Sequence, residues 1–501
     1  MNPTIASLVC ACGIAGLLYL DRDKSARVSW ALWIPGVWIA TVLSRPLTFW
    51  LGIEEAAGNA QGLEGSPMDA ALYAALLALA LIVLARRFDQ TRNLLLSNPL
   101  ILAYFLYCLI SIAWAYYPEV SLKRWIKAIG DLAMVLVIVT DEQPAEAIRR
   151  LVTRLAFLAL PISVLYIKYF PEYGRQYSVD GLLTNTGVAA NKNLLGLTTL
   201  VLSLVIVWNI RSLLPNKNAP NRGRRLFAQG TLLAFALVLF SWAGSSTCQA
   251  AFILGCVLMF ASGRPAIRLR PGRIHVFCAA IILAASGTVL LGGQSLVVES
   301  LGRDASMSGR TDIWPAVISA VPNPVFGAGF EGFWLSPNIR IAQEQLLAKG
   351  FFPPLVETLS EAHNGYIETY LNLGWVGVCL IVAILYVGYR KCIKVYLQDP
   401  ALGSLMLAYI AVGAVYSITE AGFRILNPMW IFLLVAIVTA SGVTAGHIKI
   451  AATGDSRPDG NEPSRSNRSR LASRLMIRER VEGSGSNGLG RPRTPGVRSR
   501  R

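Results

Sequence analysis

The feature that most limits this chain is a succession of apolar blocks, each about 17–25 residues, the length of helix that crosses the hydrocarbon of a bilayer. They fall at about 4–20, 28–48, 68–85, 98–116, 126–140, 151–170, 188–209, 226–242, 248–262, 274–293, 369–389, 401–417 and 428–446. Lipid offers no partner to an unpaired backbone amide, so the blocks must be helices. Composition agrees: 54% of the residues are hydrophobic and 15% charged, where a soluble chain carries about 25% charged. Arg45-Pro46 interrupts the second block, and 126–140 is short for a full crossing. No repeat of about 20–50 residues is apparent, which argues against a solenoid or propeller. The expectation is an all-α polytopic membrane protein with thirteen spans, give or take about one.

Orientation follows from basic residues in the short connections, which favour the cytoplasm. The stretch 211–225 holds Arg211, Lys217, Arg222, Arg224 and Arg225, and 263–273 holds Arg264, Arg268, Arg270 and Arg273. Arg390, Lys391 and Lys394 form a third basic connection. On the alternate side, 49–67 has no Lys or Arg and carries Glu54, Glu55 and Glu64. This alternation puts the long loop 294–368 outside, in the periplasm of a bacterial cell. The expected organisation is N-terminal membrane helices to 293, that loop, C-terminal helices at 369–446, and a tail at 447–501.

The tail has 13 Lys or Arg against 5 Asp or Glu, so eight of the seventeen net positive charges lie there. It is rich in Ser, Gly, Pro, Asn and Arg and reads as disordered and cytoplasmic, brushing anionic lipid. Nucleic acid is not an expected partner, because no folded reader domain accompanies the charge. The eight cysteines fall in or beside spans, with neither a zinc-type spacing nor an extracellular disulfide framework. The N-terminus lacks the basic start of a signal peptide, so 4–20 is expected to be a retained helix.

Of the three histidines, His275 and His447 lie beside cytoplasmic connections. His363 lies outside, in Ser360-Glu361-Ala362-His363-Asn364-Gly365-Tyr366-Ile367-Glu368, just before the span at 369. An imidazole flanked by carboxylates can accept a proton near neutral pH. The alternative reading is an interfacial His that caps a helix. Upstream lies Gly309-Arg310-Thr311-Asp312-Ile313-Trp314. Arg310 either grips a phosphate, as a guanidinium does in bidentate fashion, or pairs with Asp304 or Asp312 to order the loop. Asn323-Pro324-Val325-Phe326-Gly327-Ala328-Gly329-Phe330 reads as tight turns, not as a nucleotide loop. Other cations on the outer side are Lys123, Arg124, Lys168, Arg175, Lys192 and Arg424. Snorkelling explains any one of them; together they suggest an anionic partner such as a lipid-linked pyrophosphate.

The stretch from His363 to Glu368, continuing through Leu371-Asn372-Leu373-Gly374-Trp375-Val376-Gly377, resembles the close of the large periplasmic loop in the O-antigen ligase and polymerase superfamily. The segments 309–314 and 323–330 resemble earlier landmarks of that loop. Ser29 to Pro35, Ser44-Arg45-Pro46, Glu64 to Pro67, Lys123-Arg124-Trp125, Gly187-Val188 with Lys192-Asn193, and Thr419 to Phe423 are similar to its exopolysaccharide-polymerase branch. The resemblance spans roughly 28–440. Each motif is short, and their order and spacing make them specific.

The resemblance implies a metal-independent glycosyltransferase embedded in the inner membrane, of the class C kind and without a cofactor. Such an enzyme passes a glycan from undecaprenyl pyrophosphate to a glycan, lipid or protein acceptor. By it, His363 is the base or hydroxyl-orienting group, and Arg310, Lys192, Arg124 and Glu368 are expected to bind pyrophosphate or glycan. In one respect the chain departs from the pattern: the hairpin 241–249 has no cation, where many ligases of the superfamily carry Arg. Twelve spans with both termini inside are usual in the superfamily, whereas thirteen leave this N-terminus outside. A transporter of lipid-linked sugars is the competing class. It is expected to bury charge mid-span and to show broken, repeated helices, and these spans look nearly free of charge.

Overall fold

The computed structural model describes residues 2–23, 28–53, 66–178, 181–264 and 308–448, with a few positions between 272 and 280. The expected tail from 449, most of the span at 274–293, the loop segment 294–307 and the acidic run 54–65 lie outside the described residues. Within them the chain is built almost wholly of helices, with one two-stranded antiparallel ribbon pairing Arg175–Tyr177 with Leu183–Asn185.

Seven described helices are long and apolar enough to cross a membrane: Pro3–Leu20, Pro67–Arg86, Pro144–Tyr169, Lys192–Leu213, Arg222–Ala243, Gly365–Gln398 and Pro400–Thr419. Shorter apolar helices occupy Trp30–Leu43, Ser246–Ser262 and Pro428–Thr444. The chain is thus an all-α multi-pass membrane protein. Boundaries differ from expectation where polar residues continue a helix. The block at 126–140 is the end of the helix Pro118–Val139, whose first turns carry Glu119, Lys123, Arg124 and Lys127. The block at 98–116 is one limb of a pair, Phe88–Leu96 and Pro99–Trp114, bent by 88°. Pro99 at the start of the second limb explains the corner, since proline disfavours helical backbone in the residue before it. Likewise the second block stops at Leu43, and Ser44 and Pro46 adopt extended backbone before a short turn of helix resumes at Leu47.

Contacts at helix ends sort the bundle into two faces. Asp69, in the first turn of Pro67–Arg86, accepts the Leu47 amide at 2.9 Å. At the other end Arg87 donates to the Val137 carbonyl and the Thr140 hydroxyl, both at 3.2 Å. Lys391 donates to the Ser97 carbonyl at 2.6 Å and to the Ser441 hydroxyl at 2.8 Å on that same second face. The basic connection between Lys192–Leu213 and Arg222–Ala243 belongs there too, opposite His363. Helices Lys192–Leu213, Pro400–Thr419 and Pro428–Thr444 are buried along most of their length and form the centre of the bundle. Charge inside the bundle is greater than the sequence suggests, because Asp131 is fully buried. Its carboxylate takes the Trp38 indole N–H and the Leu426 amide, each at 2.9 Å.

The described part of the long loop is a folded cap. Helices Ser308–Ser319, Ile339–Ala348 and Pro353–Glu357 enclose a core of their own around Ile313, Val317, Phe333, Leu346 and Val356. The cap is locked to the bundle by glycine geometry. Within Gly365–Gln398 the backbone breaks at Gly374, with φ of 62°, and a side chain there would clash with the Val325 carbonyl oxygen. Into the break fits the turn 323–330. Ala328 donates to Leu371 at 3.0 Å, and Trp375 donates to Pro324 at 3.0 Å. Two segments distant in sequence therefore interlock through backbone bonds that leave no room for a side chain.

Candidate active site

His363 stands at the junction of cap and bundle, with φ of 50°. Left-handed backbone is uncommon for residues other than glycine, and such strain gathers at functional sites. The helix that follows is capped by Asn364, whose side chain accepts the amides of Tyr366 and Ile367, both at 3.0 Å. Capping is therefore the work of Asn364, and His363 is free of that role. Trp314, on the cap helix Ser308–Ser319, steadies the adjoining backbone by donating to the Ala362 carbonyl at 2.9 Å.

The His363 Nδ1 lies 3.0 Å from Glu361 Oε1 and 3.4 Å from Glu420 Oε2. Glu420 sits at the end of Pro400–Thr419, so side chains far apart in sequence meet here. With Nδ1–H held by a carboxylate, the ring's basic lone pair is on Nε2. A carboxylate at Nδ1 is the arrangement that fixes an imidazole's tautomer and orientation.

Beside it, Arg424 gathers three further carboxylate contacts. Its guanidinium reaches Glu331 Oε2 at 3.4 Å, Glu361 Oε2 at 3.8 Å and Glu368 Oε1 at 3.8 Å, and donates to the Ser360 carbonyl at 3.3 Å. Burial pulls its pKa down, but Glu331, Glu368 and Glu361 outweigh that and hold it above the ordinary value. Arg424 therefore stays charged and bridges the cap to the loop between the last two helices.

Glu368 is buried in the first turn of its helix. One oxygen takes the Trp334 indole at 2.5 Å and the other the Ala362 amide at 3.0 Å. Its carboxylate thus ties Trp334 of the cap and the backbone just before His363 to the start of the helix. Arg124 donates to the backbone carbonyl of Glu331 at 2.6 Å. Arg310 lies in the first turn of Ser308–Ser319, and its side chain is outside the described residues. Lys192 is exposed and opens its own helix, which Asn191 caps. One turn below it, Gly196 lies against Ser245 and Cys248 of the next hairpin. Thr247 in that hairpin meets Thr419, the neighbour of Glu420, at 3.4 Å. Lys192 is thus on the same face as His363, across the hairpin. On that side Lys168 also lies over Trp242, 5.8 Å from the ring centre.

Among the residues named from sequence, the structure brings His363, Glu368 and Arg124 together. Glu331, Glu361 and Glu420 were missed as members, and Arg424 was noted only as one outward cation. Glu361 offered a signal, two residues before the histidine, and Glu420 and Arg424 lie in a stretch already marked by resemblance.

Glu361, His363 and Glu420 also offer three donor atoms within 4.8 Å of one another, a set that suits divalent metals. Arg424, 3.8 Å from Glu361, already supplies a fixed cation that a metal ion would have to face.

Residues 231–382 match the family model described as O-antigen ligase. That part of the chain is similar to an O-antigen ligase domain. It contains His363, Glu331, Glu361 and Glu368 together with the cap and the Gly374 break. Glu420, Arg424 and Arg124 come from outside it and complete its cluster. The exopolysaccharide production protein ExoQ of Rhizobium meliloti (strain 1021) is similar over a longer stretch. It is 26% identical across 366 residues, covering 70% of this chain and 78% of that protein. Both similarities are to polysaccharide-related proteins.

Proposed function

We propose that this protein is an inner-membrane glycosyltransferase that moves a glycan from undecaprenyl pyrophosphate to an acceptor hydroxyl at the periplasmic face. The observation that carries this reading is His363, held through Nδ1 between Glu361 and Glu420. Nε2 takes the acceptor proton as the hydroxyl oxygen bonds to the donor's anomeric carbon. The bond from that carbon to the pyrophosphate oxygen breaks, and its electron pair leaves with the lipid pyrophosphate. A positioned base contributes about 10²–10⁴-fold to such a step.

Four carboxylates surround His363 and Arg424, which suits hydroxyl groups of an acceptor and repels a pyrophosphate. The pyrophosphate is therefore assigned to cations across the 244–247 hairpin, with Lys192 foremost, and to Arg310 at the head of the cap helix. Cations there stabilise charge on the departing oxygen. Arg124 and Glu368 hold the walls between which the acceptor glycan lies.

The reading is tested with purified protein in nanodiscs, supplied with a lipid-pyrophosphate-linked oligosaccharide and an acceptor glycan. Transfer coupled to release of the lipid pyrophosphate is expected. Movement of the intact donor across sealed vesicles, with no transfer, would replace the enzyme by a transporter.

A further inference from the structure

On the face opposite His363, the bundle holds a cavity of about 630 Å³ between the helices Pro3–Leu20, Pro144–Tyr169 and Arg222–Ala243. Five arginines line it: Arg22, Arg149, Arg150, Arg154 and Arg225. Three carboxylates accompany them, Asp21, Asp23 and Glu146, so two positive charges are left in excess. Arg149 and Lys168 share a helix and stand roughly 28 Å apart along it, at about 1.5 Å per residue. The cavity is therefore remote from the candidate active site.

The acids are already engaged. Asp23 pairs with Arg225 at 2.9 Å, Glu146 pairs with Arg149 at 3.2 Å, and Asp21 accepts from the Gln229 amide at 2.9 Å. Two of the guanidinium groups are anchored on aromatic rings, Arg149 over Trp208 at 4.6 Å and Arg154 over Trp33 at 5.3 Å. Such stacking fixes the plane of the fork and so the direction of its N–H groups. A second, independent observation concerns unmet donors. The Nε atoms of Arg149 and Arg225 are buried and have no hydrogen-bond partner among the described residues, and Arg225 as a whole is only 6% exposed. A buried donor left unpaired is costly, and an anionic acceptor in the cavity would satisfy it. Leu18 and Phe157 supply an apolar wall beside the charges.

We infer that this cavity binds a phosphoryl group, with the arginines as its cradle. Phosphate matches a guanidinium fork in bidentate fashion, and basic pockets between helices near a membrane surface hold phospholipid headgroups. A phospholipid headgroup and a soluble phosphate present the same chemistry, and the apolar wall favours the former.

The full-length protein is placed in phosphatidylcholine nanodiscs, with and without phosphatidylglycerol, and its thermal midpoint and retained lipid are measured. In a second arm inorganic phosphate is added to the phosphatidylcholine discs. Wild type is expected to gain stability and retain phosphatidylglycerol in the first arm. A gain with inorganic phosphate alone also supports the site and assigns it a soluble ligand. In Arg149→Gln/Arg154→Gln, which leaves the Asp23–Arg225 pair, the response is expected at about tenfold higher ligand. Arg154→Gln alone is the fallback if the double variant does not fold, and Arg390→Gln, on the same face outside the cavity, is expected to behave as wild type. No response in wild type in either arm, or an undiminished response in the cavity variants, would overturn the inference.

Discussion

Asp131 and Leu426 are joined by a 2.9 Å hydrogen bond from the Leu426 amide to a carboxylate that is wholly buried in the bundle. Leu426 has φ of 50° and closes the loop that carries Glu420 and Arg424. A side chain in the bundle thus sets the backbone of the candidate active site. Asp131→Ala removes this bond and the one from Trp38. A hydrogen bond contributes about 0.5–1.5 kcal/mol net, so losing both is expected to cost roughly 1–3 kcal/mol in a detergent melt. Transfer should fall with it, and Asp131→Asn, which keeps one acceptor oxygen, should lie between. A wild-type melt for the alanine variant would deny Asp131 this role.

Arg424 separates carboxylates that otherwise face one another. Its pKa is raised in the folded protein, so the stability it adds is fully present below its ordinary value and is lost only above it. Between about pH 6 and 9 wild type should show no change in stability from this group. Arg424→Ala leaves Glu331, Glu361 and Glu368 without their shared cation. Losing a partner of buried charge costs about 3–5 kcal/mol, and proton uptake relieves the repulsion. The variant should therefore regain stability as pH falls, measured as its thermal midpoint across the range. A deficit independent of pH would contradict the ion cluster.

Gly374→Ala places a methyl group against the Val325 carbonyl oxygen in backbone that L-residues avoid. Left-handed backbone alone costs about 1–2 kcal/mol, and the clash adds to it. We expect loss of about 2–4 kcal/mol and release of the cap, read as faster proteolysis between 308 and 364. Unchanged proteolysis would mean that the cap is held elsewhere.

Sidedness is open to cysteine labelling in a background free of native cysteines. Ser360 is exposed in the cap and Lys217 exposed in the opposite basic connection. Ser360→Cys should react with an impermeant maleimide in intact spheroplasts, and Lys217→Cys only after lysis. The reverse pattern would invert the protein and remove the proposed donor from reach.

Helix placement was legible because apolar length is a local property of the sequence. Helix ends were less so: Pro118–Val139 starts eight residues before its apolar block, since Glu119, Lys123, Arg124 and Lys127 lie in helix outside the hydrocarbon-like stretch. The cap was not read as folded, for its core is assembled from short helices with few apolar residues each. His363, Arg124 and Glu368 were visible through motif and charge. The assignment of Glu420 and Arg424 to the same cluster needed tertiary contact, because they enter from a loop some 57 and 61 residues further along the chain. Asp131 was invisible as a partner for the same reason, having Leu426 as its mate across the bundle.

The most direct measurement is the transfer rate of His363→Asn beside His363→Ala, in the reconstituted system with lipid-linked donor and acceptor. Asparagine tolerates the left-handed backbone at this position and cannot accept the proton, so folding is spared while the base is lost. Both variants should melt near wild type and transfer about 10²–10⁴-fold more slowly. A wild-type rate in either would take the imidazole out of the chemistry.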